Sequence, residues 1–221
     1  MDSSEAARVA SDARARRASR LHGIYAILND SHDTVERASA VIDAGVRVLQ
    51  YRAKKGVVAE TIAALVACAR RRGALLIVND DVAAAVDFDC DGVHLGPGDR
   101  GFDDVAGVRR VMNDRLIGLS CGTPLEARAA NREDIDYVGA GPVFATRSKD
   151  DAGDPIGIDG LRRIAAESRF PVAAIGGIDE ANVAEVARWG VAMAAVISAI
   201  AGAVDTAGAA KRLVRAWEPA Q

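Results

Sequence analysis

Short apolar runs alternate with longer alanine-rich stretches from Leu21 onward, and this alternation constrains the fold more than any other feature. The predicted strands are 23–28, 46–51, 74–78, 92–95, 116–120, 136–139, 172–175 and 192–197. The predicted helices are 34–44, 58–72, 81–88, 103–112, 124–131, 158–167, 180–189 and 206–217. Strands that alternate with helices form parallel βα units. Eight such units in 221 residues predict an α/β protein with a single (β/α)8 TIM barrel, and an open doubly wound sheet is the alternative.

The bulk composition excludes several classes of protein. The chain is 50% hydrophobic and 27% charged, which is typical of a globular domain. Its net charge of −3 and its 4% aromatic content disfavour nucleic-acid binding. No apolar run approaches the roughly 18 residues of a membrane helix. The three cysteines contain no CxxC pair, which disfavours a disulfide framework or a zinc site. We therefore expect a cytoplasmic enzyme or binding protein with small-molecule ligands and no membrane or nucleic-acid partner, and a homo-oligomer stays open.

The N-terminal segment differs in composition from the rest of the chain, being rich in alanine, arginine and serine. It lacks the hydrophobic region of a secretory signal, and Asp2, Glu5 and Asp12 argue against an organelle transit peptide. We expect residues 1–20 to be a disordered, frayed or weakly helical extension. Residues 21–221 are then the barrel domain.

Polar side chains follow the predicted strands, and in a barrel the carboxyl ends of the strands meet at one face. Gln50, Arg52 and Lys54 alternate at the end of the second strand, so they share one side if the strand continues. An amide and two cations directed together suit an anionic ligand. A solvated loop would explain the same two cations without any ligand.

Carboxylates follow the third and fourth strands. Asn79 and Asp80 end the third strand, and the fourth leads through His94 to Asp99. Mg²⁺ prefers oxygen ligands and needs only one or two carboxylates when it keeps waters and binds a phosphate, so Asp80 and Asp99 predict a magnesium–pyrophosphate site. The alternative is that Asn79 or Asp80 only caps the next helix. We interpret His94 as a hydrogen-bonded structural residue and not as a base.

Hydroxyl groups follow the fifth and sixth strands. Ser120 ends the fifth strand, and no His/Asp partner in the sequence marks it as a nucleophile. The sixth strand leads into a loop with Thr146, Ser148 and Lys149. Two hydroxyls and an ammonium group in such a loop suit a phosphate or pyrophosphate.

The last two strands end in segments that can bind phosphate through the backbone. Gly177 follows the seventh strand, and Ile197 and Ser198 end the eighth. In this fold the loops after strands seven and eight commonly hold phosphate by backbone N–H groups and a helix N-terminus. Together with the cationic strand ends, they predict two anion sites. Two phosphorylated ligands in one barrel suggest a condensation in which one partner loses pyrophosphate.

These residues resemble the thiamine-phosphate synthase family, in the family's order, from Gly23 to Ile200. The matching motifs are Gln50-x-Arg52-x-Lys54, Val78-Asn79-Asp80, Asp91-Gly92-Val93-His94-Leu95-Gly96-x-x-Asp99, Ile117-Gly118-Leu119-Ser120, Asp136-Tyr137-Val138-Gly139-x-Gly141-Pro142-Val143-Phe144-x-Thr146-x-Ser148-Lys149, Ala174-Ile175-Gly176-Gly177-Ile178 and Val196-Ile197-Ser198-Ala199-Ile200. Each motif is weak or moderate alone, but the set is highly specific.

The resemblance implies a reaction and a role for each matching residue. In this family 4-amino-2-methyl-5-hydroxymethylpyrimidine pyrophosphate and a thiazole phosphate give thiamine phosphate and pyrophosphate, with Mg²⁺. The residues implied to hold the pyrophosphate are Gln50, Arg52, Lys54, Asn79 and Lys149. Those implied for the thiazole phosphate are Thr146, Ser148, Gly177, Ile197 and Ser198. Asp80 and Asp99 would hold Mg²⁺, and Ser120 would lie near the pyrimidine and the departing pyrophosphate. The catalytic residues implied are Lys149, Ser120 and Arg52.

The chain departs from the family pattern at three places. Pro97 stands where the family often has glutamine, and Gly190-Val191-Ala192-Met193 replaces a Gly-Ala-Asp-Gly segment. Gly122 stands where related thiazole tautomerases need a histidine, which favours the synthase over the tautomerase. A non-catalytic protein that binds a thiamine precursor is the other alternative, although such a protein would not need the metal-assisted site.

Overall fold

A closed barrel of eight parallel strands forms the centre of the molecule. The structure is a computed structural model that describes residues 3–146, 148 and 153–218. The strands follow in chain order, and β1 pairs with both β2 and β8. Their bounds are β1 Gly23–Asn29, β2 Val48–Arg52, β3 Leu75–Asn79, β4 Gly92–Leu95, β5 Leu116–Cys121, β6 Tyr137–Ala140, β7 Val172–Ile175 and β8 Met193–Val196. The pairing of β1 with β8 closes the sheet, so the TIM-barrel prediction is confirmed and the open sheet is excluded.

Alternation along the strands separates two apolar layers. Tyr25, Val48, Ile77 and Tyr137 belong to a cluster inside the barrel. The residues that alternate with them, such as Leu49, belong to a second cluster that packs between the strands and the surrounding helices. Both layers are buried, which explains why the strands are short, nearly continuous apolar runs.

Helices surround the barrel, and several begin at a side-chain cap. Their bounds are α1 Ser3–Ala18, α2 Thr34–Asp43, α3 Ala59–Arg72, α4 Val82–Asp87, α5 Val105–Met112, α6 Pro124–Ala130, α7 Gly157–Glu167, α8 Val183–Ala187, α9 Ser198–Ala201 and α10 Thr206–Trp217. Thr123 accepts a hydrogen bond from the Glu126 N–H, and Pro124 occupies the first turn of α6, where proline is favoured. No helix among the described residues is long and apolar enough to cross a membrane.

The structure differs from the predicted elements in two helices near the C-terminus. The predicted helix 180–189 is shorter, because Asp179 and Asn182 form a turn in which the Asn182 Oδ1 accepts from the Asp179 N–H at 2.9 Å. Asp179 therefore does not cap α8; Asn182 holds the N-cap position. The short helix α9 was not predicted, and it directly follows β8.

The N-terminal segment contains helix α1, which lies at the amino ends of the strands. The Arg14 Nε donates to the Asp136 Oδ1 at 2.7 Å, and Asp136 directly precedes β6. Arg17 forms ion pairs with Asp91, which precedes β4, and with Asp114. Burial opposes the charge on Arg14, but the bonds to Asp136 and Asp134 outweigh it and raise the pKa of Arg14. The contacts hold α1 on the face opposite to the expected site.

Asp136 is a buried carboxylate that binds several partners at the amino ends of the strands. Its Oδ2 accepts from the Ile117 N–H and from the Arg109 Nη2, both at 2.8 Å. Removing one partner of a buried ion pair costs about 3–5 kcal/mol. We therefore expect Asp136→Ala to lower the free energy of unfolding by about 3 kcal/mol in urea denaturation. The matched control is Asp134→Ala, because Asp134 is 59% exposed and also pairs with Arg14; equal losses in the two variants would contradict this account.

Candidate active site

A pocket of about 390 Å³ opens at the carboxyl ends of the strands. The sequence-predicted residues that line it are Arg52, Asn79, Asp80, Asp99, Ser120, Thr146, Ser148, Gly177, Ile197 and Ser198. They come from the ends of β2 to β8, which is where side chains converge in this fold. Lining residues that the sequence analysis did not assign include His94, Glu126, Cys121 and Gly96.

Arg52, the last residue of β2, brings an unsatisfied donor to the pocket. Its Nε is buried and has no hydrogen-bond partner among the described residues. Its Nη1 makes one long hydrogen bond, 3.4 Å to the Asn29 Oδ1. Buried donors in folded proteins are nearly always paired, so an arginine with a buried unpaired N–H at a pocket indicates a site for an acceptor ligand.

Asp80 is held at the pocket in an unusual backbone conformation. Its φ is +67°, in the left-handed region that residues other than glycine seldom adopt. Its backbone N–H donates to the His94 carbonyl at 2.9 Å, which ties the end of β3 to β4. The cap of α4 is Asp81, whose Oδ1 accepts from the Ala84 N–H. Helix capping therefore does not explain Asp80, and strain of this kind is typical of functional positions.

Asp99 lies on the loop after β4, close to Ser120. The Asp99 Oδ2 accepts from the Gly96 N–H at 2.6 Å. A Cβ on Gly96 would lie 3.3 Å from that oxygen and 3.5 Å from the Ser120 Oγ, so the two side chains flank the same glycine. Asp80 and Asp99 line one pocket, and the described residues contain no cluster of three or more metal-ligating side chains. Two carboxylates suit an ion that completes its shell with phosphate oxygens and water.

Ser120 has a histidine partner that its place in the sequence does not reveal. The His94 Nε2 lies 3.0 Å from the Ser120 Oγ, and the imidazole is 8% exposed. The hydrogen-bonded position agrees with the structural interpretation of His94. The sequence alone shows no histidine partner for Ser120, and this pairing supplies one. The two side chains meet because the register of β4 on β5 brings the inward side chains of these strands together.

Hydroxyl groups line the pocket after β6. The Thr146 Oγ1 accepts from the Ser148 N–H at 3.2 Å. Lys149, the third predicted member of the loop, lies outside the described residues. Gly177 after β7 and Ser198 after β8 also line the pocket, and Ser198 begins the short helix α9.

Two of the predicted ligand-binding residues stand apart from this lining. Gln50 is 3% exposed in the barrel interior, where its Nε2 donates to the Tyr25 hydroxyl at 2.7 Å. Lys54 is exposed on the loop after β2. Neither is among the described residues that line the pocket, so their assignment to the pyrophosphate stays a prediction.

Cys121 lies at the pocket but is unsuited to nucleophilic attack. Burial, with a smaller contribution from Glu126, raises the pKa of the Cys121 thiol to about 12. A thiol with this pKa holds about 10⁻⁴ of its population as thiolate near pH 8. Cys121 is 3% exposed and is a packed residue. Glu126 was missed, although Gly122-Thr123-x-x-Glu126 resembles a capping box; the Glu126 Oε2 accepts from the Gly122 N–H.

Gly177 allows a test of the backbone part of the pocket. Its φ is +63°, and a Cβ there would lie 2.6 Å from the Ala145 carbonyl oxygen, in the segment that leads to Thr146. We expect Gly177→Ala to lower the melting temperature by about 3–6 °C, from roughly 1–2 kcal/mol of strain and crowding. Since the displaced segment carries Thr146, the KM for a thiazole phosphate should rise more than that for a pyrimidine pyrophosphate.

The control for this variant is Gly73→Ala. Gly73 has φ +65°, and a Cβ there meets nothing within 4 Å. It ends α3, away from the pocket, so it isolates the backbone penalty. Thermal melts and steady-state kinetics on both variants separate strain from ligand binding. A loss of stability in Gly177→Ala with both KM values unchanged would contradict the assignment of Gly177 to the ligand site.

A closed βα barrel with a polar pocket at the carboxyl ends of its strands defines a barrel enzyme, because active sites of this fold lie at that face. A family model described as thiamine monophosphate synthase matches residues 24–200. The chain belongs to the thiamine monophosphate synthase family, and with it to the transferases.

Individual relatives agree with this assignment. The thiamine-phosphate synthase of Chloroflexus aurantiacus is 43% identical over 83% of this chain and 84% of its own. The thiamine biosynthesis bifunctional protein ThiM/ThiE of Symbiobacterium thermophilum is 45% identical over 79% of this chain, which spans 37% of that longer protein. The solved structure of thiamine phosphate pyrophosphorylase from Pyrococcus furiosus superimposes with a TM-score of 0.83 at 34% identity, covering 91% of this chain and 98% of its own.

Proposed function

We propose that the chain is a magnesium-dependent thiamine-phosphate synthase that joins 4-amino-2-methyl-5-hydroxymethylpyrimidine pyrophosphate to a thiazole phosphate, releasing pyrophosphate. The observation that carries the proposal is the composition of the pocket at the carboxyl ends of the strands. One side presents the carboxylates of Asp80 and Asp99 and Arg52, whose buried Nε–H has no partner among the described residues. The other side presents hydroxyls and glycine backbone after β6, β7 and β8. This division suits two phosphorylated ligands.

The pyrophosphate belongs on the side formed by β2, β3 and β4. The Arg52 guanidinium offers paired N–H groups that match phosphate oxygens. Asn79, also at the pocket, adds an amide donor. Lys54 and Lys149 belong to the same predicted set; Gln50, also predicted, lies in the barrel interior with its amide nitrogen on the Tyr25 hydroxyl. A net charge of −3 gives the protein no general attraction for anions, so this local cluster has to supply it.

Asp80 and Asp99 are the residues that would hold Mg²⁺. Their carboxylates are hard oxygen donors at one pocket, and a magnesium ion usually needs only one or two of them beside a substrate phosphate. A magnesium ion held there would supply positive charge for the departing pyrophosphate. The protein contributes by holding both carboxylates in place: the φ of Asp80 and the Gly96 N–H bound to Asp99 fix their positions.

The thiazole phosphate belongs on the opposite side, near Thr146, Ser148, Gly177, Ile197 and Ser198. Backbone N–H groups and a short extra helix after β8 form a common phosphate site of barrels. The helix α9 after β8 supports this placement.

The bond changes follow from these positions. The C–O bond between the pyrimidine methylene carbon and the pyrophosphate breaks, and its electron pair leaves with the pyrophosphate oxygen. The electron-rich aminopyrimidine stabilises the resulting carbocation, and the thiazole nitrogen then supplies the pair for the new C–N bond. No side chain has to act as a nucleophile, and the buried Cys121 thiol and the absence of a Ser-His-Asp triad from the sequence motifs are consistent with this.

The experiment is a synthase assay on the purified chain. Thiamine phosphate and pyrophosphate are measured from the two precursors, with Mg²⁺ and with excess EDTA. We expect both products in equal amounts and their loss in EDTA. Isomerisation of a thiazole phosphate without condensation would favour the tautomerase, and binding of either precursor without turnover would favour a binding protein. Either result would overturn the proposal.

The same proposal includes a cytoplasmic location and small molecules as the ligands. Thiamine biosynthesis relatives and the composition of the chain support it. Sedimentation of the purified protein would decide between a monomer and a homo-oligomer.

A further inference from the structure

A chain of buried polar side chains runs through the barrel interior and ends at the pocket. The Gln50 Nε2 donates to the Tyr25 hydroxyl at 2.7 Å, and the Tyr25 and Tyr137 hydroxyls lie 3.0 Å apart. The Tyr137 hydroxyl lies 3.1 Å from the His94 Nδ1, and the His94 Nε2 lies 3.0 Å from the Ser120 Oγ. The first four side chains are at most 8% exposed. Ser120 is thus connected to β2 by four successive hydrogen bonds.

Glycines on β5 and β6 leave space for the Tyr137 and His94 rings. A Cβ on Gly118 would overlap the Tyr137 ring, and one on Gly139 would lie 3.0 Å from the His94 Cε1. The Tyr25 and Tyr137 rings meet edge to face, with centroids 6.1 Å apart. Gly118 on β5 lies opposite Tyr137 on β6, and Gly139 lies two residues after Tyr137 on the same strand. Packing on this scale fixes the ring positions, so the hydrogen bonds have one arrangement.

The Gln50 amide favours one direction for the hydrogen bonds in this chain. Its nitrogen can only donate, so the Tyr25 oxygen accepts from Gln50, and among the described residues the Tyr137 oxygen is the acceptor left for the Tyr25 hydroxyl. The Tyr137 hydroxyl then donates to the His94 Nδ1. Burial raises the pKa of Tyr25 and the pKa of Tyr137 far above the usual range, so both phenols keep their hydrogens. A neutral imidazole that accepts at Nδ1 carries its hydrogen on Nε2, and it donates from there to Ser120.

We propose that Gln50, Tyr25 and Tyr137 are positioning residues that fix the Nε2–H tautomer of His94, so that the Ser120 hydroxyl accepts from His94 and donates its own hydrogen into the pocket. This arrangement makes Ser120 a hydrogen-bond donor for a ligand oxygen. A serine activated as a nucleophile needs the reverse, a histidine nitrogen that accepts the serine hydrogen. The identity of the ligand that accepts this hydrogen bond, the departing pyrophosphate, rests on the proposed function. The tautomer of His94 does not.

Nitrogen-15 NMR of histidine-labelled protein tests the tautomer directly. The chain has three histidines, and the His94 signals are identified by their loss in His94→Asn. In the unaltered protein at neutral pH we expect Nδ1 at the shift of an unprotonated imidazole nitrogen and Nε2 at that of a protonated one. A hydrogen on Nδ1, or on both nitrogens, would overturn the proposal.

The variant Tyr137→Phe keeps the ring and removes the donor to the Nδ1. We expect mixed His94 tautomers, kcat for thiamine phosphate lowered about 10-fold, and KM values within about 2-fold. The matched control is Tyr51→Phe. Tyr51, on β2, is buried like Tyr137, but its hydroxyl donates to Asp30 and takes no part in this chain of hydrogen bonds. It should leave the His94 spectrum unchanged.

A second variant, Gln50→Met, acts at the far end of the chain and protects the test if Tyr137→Phe folds poorly. It should also produce mixed tautomers, since no donor then fixes the direction. An unchanged His94 spectrum in the folded variants would overturn the proposal. If the unaltered protein shows the Nε2–H tautomer but makes no thiamine phosphate, the proposed function fails while the tautomer assignment stands.

Discussion

Replacing Asp80 by asparagine should lower kcat for thiamine-phosphate formation by about 10²-fold or more and leave the melting temperature nearly unchanged. Asparagine has the size of aspartate and tolerates the left-handed conformation at φ +67°, so the backbone stays as it is. What is lost is a negative charge at the pocket, and with it one of the two proposed ligands for Mg²⁺. Steady-state kinetics across a magnesium titration should show a higher half-saturating Mg²⁺ concentration.

Two further variants separate charge from backbone at this position. Asp80→Ala also loses the charge, but alanine is strained at a positive φ, so the melting temperature should fall as well. Asp87→Asn is the control for the charge alone, because Asp87 is exposed at the end of α4 and outside the pocket. Near-normal turnover in Asp80→Asn, or full activity of the unaltered protein in excess EDTA, would refute the metal role.

The residues that meet at the pocket could be predicted from the sequence, because the topology of the barrel determines where each strand ends. Once parallel βα units are recognised, the residues that follow each strand must meet at one face. Arg52, Asp80, Asp99 and Ser120 do so, although they are separated by long stretches of helix. The periodicity of the chain contains this information, and no knowledge of side-chain packing is needed.

Contacts across the barrel interior could not be predicted in the same way. The approach of His94 to Ser120 depends on the register of β4 on β5, and periodicity does not define register. The burial of Gln50 depends on where Tyr25 points inside the closed barrel. The attachment of α1 depends on Arg14 reaching Asp136 across 122 residues of sequence. Each is a tertiary contact, which local patterns do not specify.

Replacing Arg52 by glutamine should lower kcat/KM for the pyrimidine pyrophosphate by about 10²–10³-fold. The guanidinium presents a buried N–H without a partner among the described residues, and a pyrophosphate oxygen would satisfy it. Calorimetry should show that the affinity for a thiazole phosphate changes little, because that ligand is assigned to the opposite side of the pocket. Arg52→Lys should recover part of the loss, since it keeps the charge but not the paired donors.

Stability distinguishes this role from a structural one. A structural arginine lowers the melting temperature when it is removed, because its partners lose their hydrogen bonds. Within the described part of the chain, Arg52 makes a long bond to Asn29 and its buried Nε has no partner, so Arg52→Gln should melt at the same temperature or slightly higher. The control is Arg110→Gln, an exposed arginine on α5 away from the pocket. Equal loss of affinity for both substrates would mean that the two anion sites are not distinct, and a large fall in melting temperature would make Arg52 a structural residue.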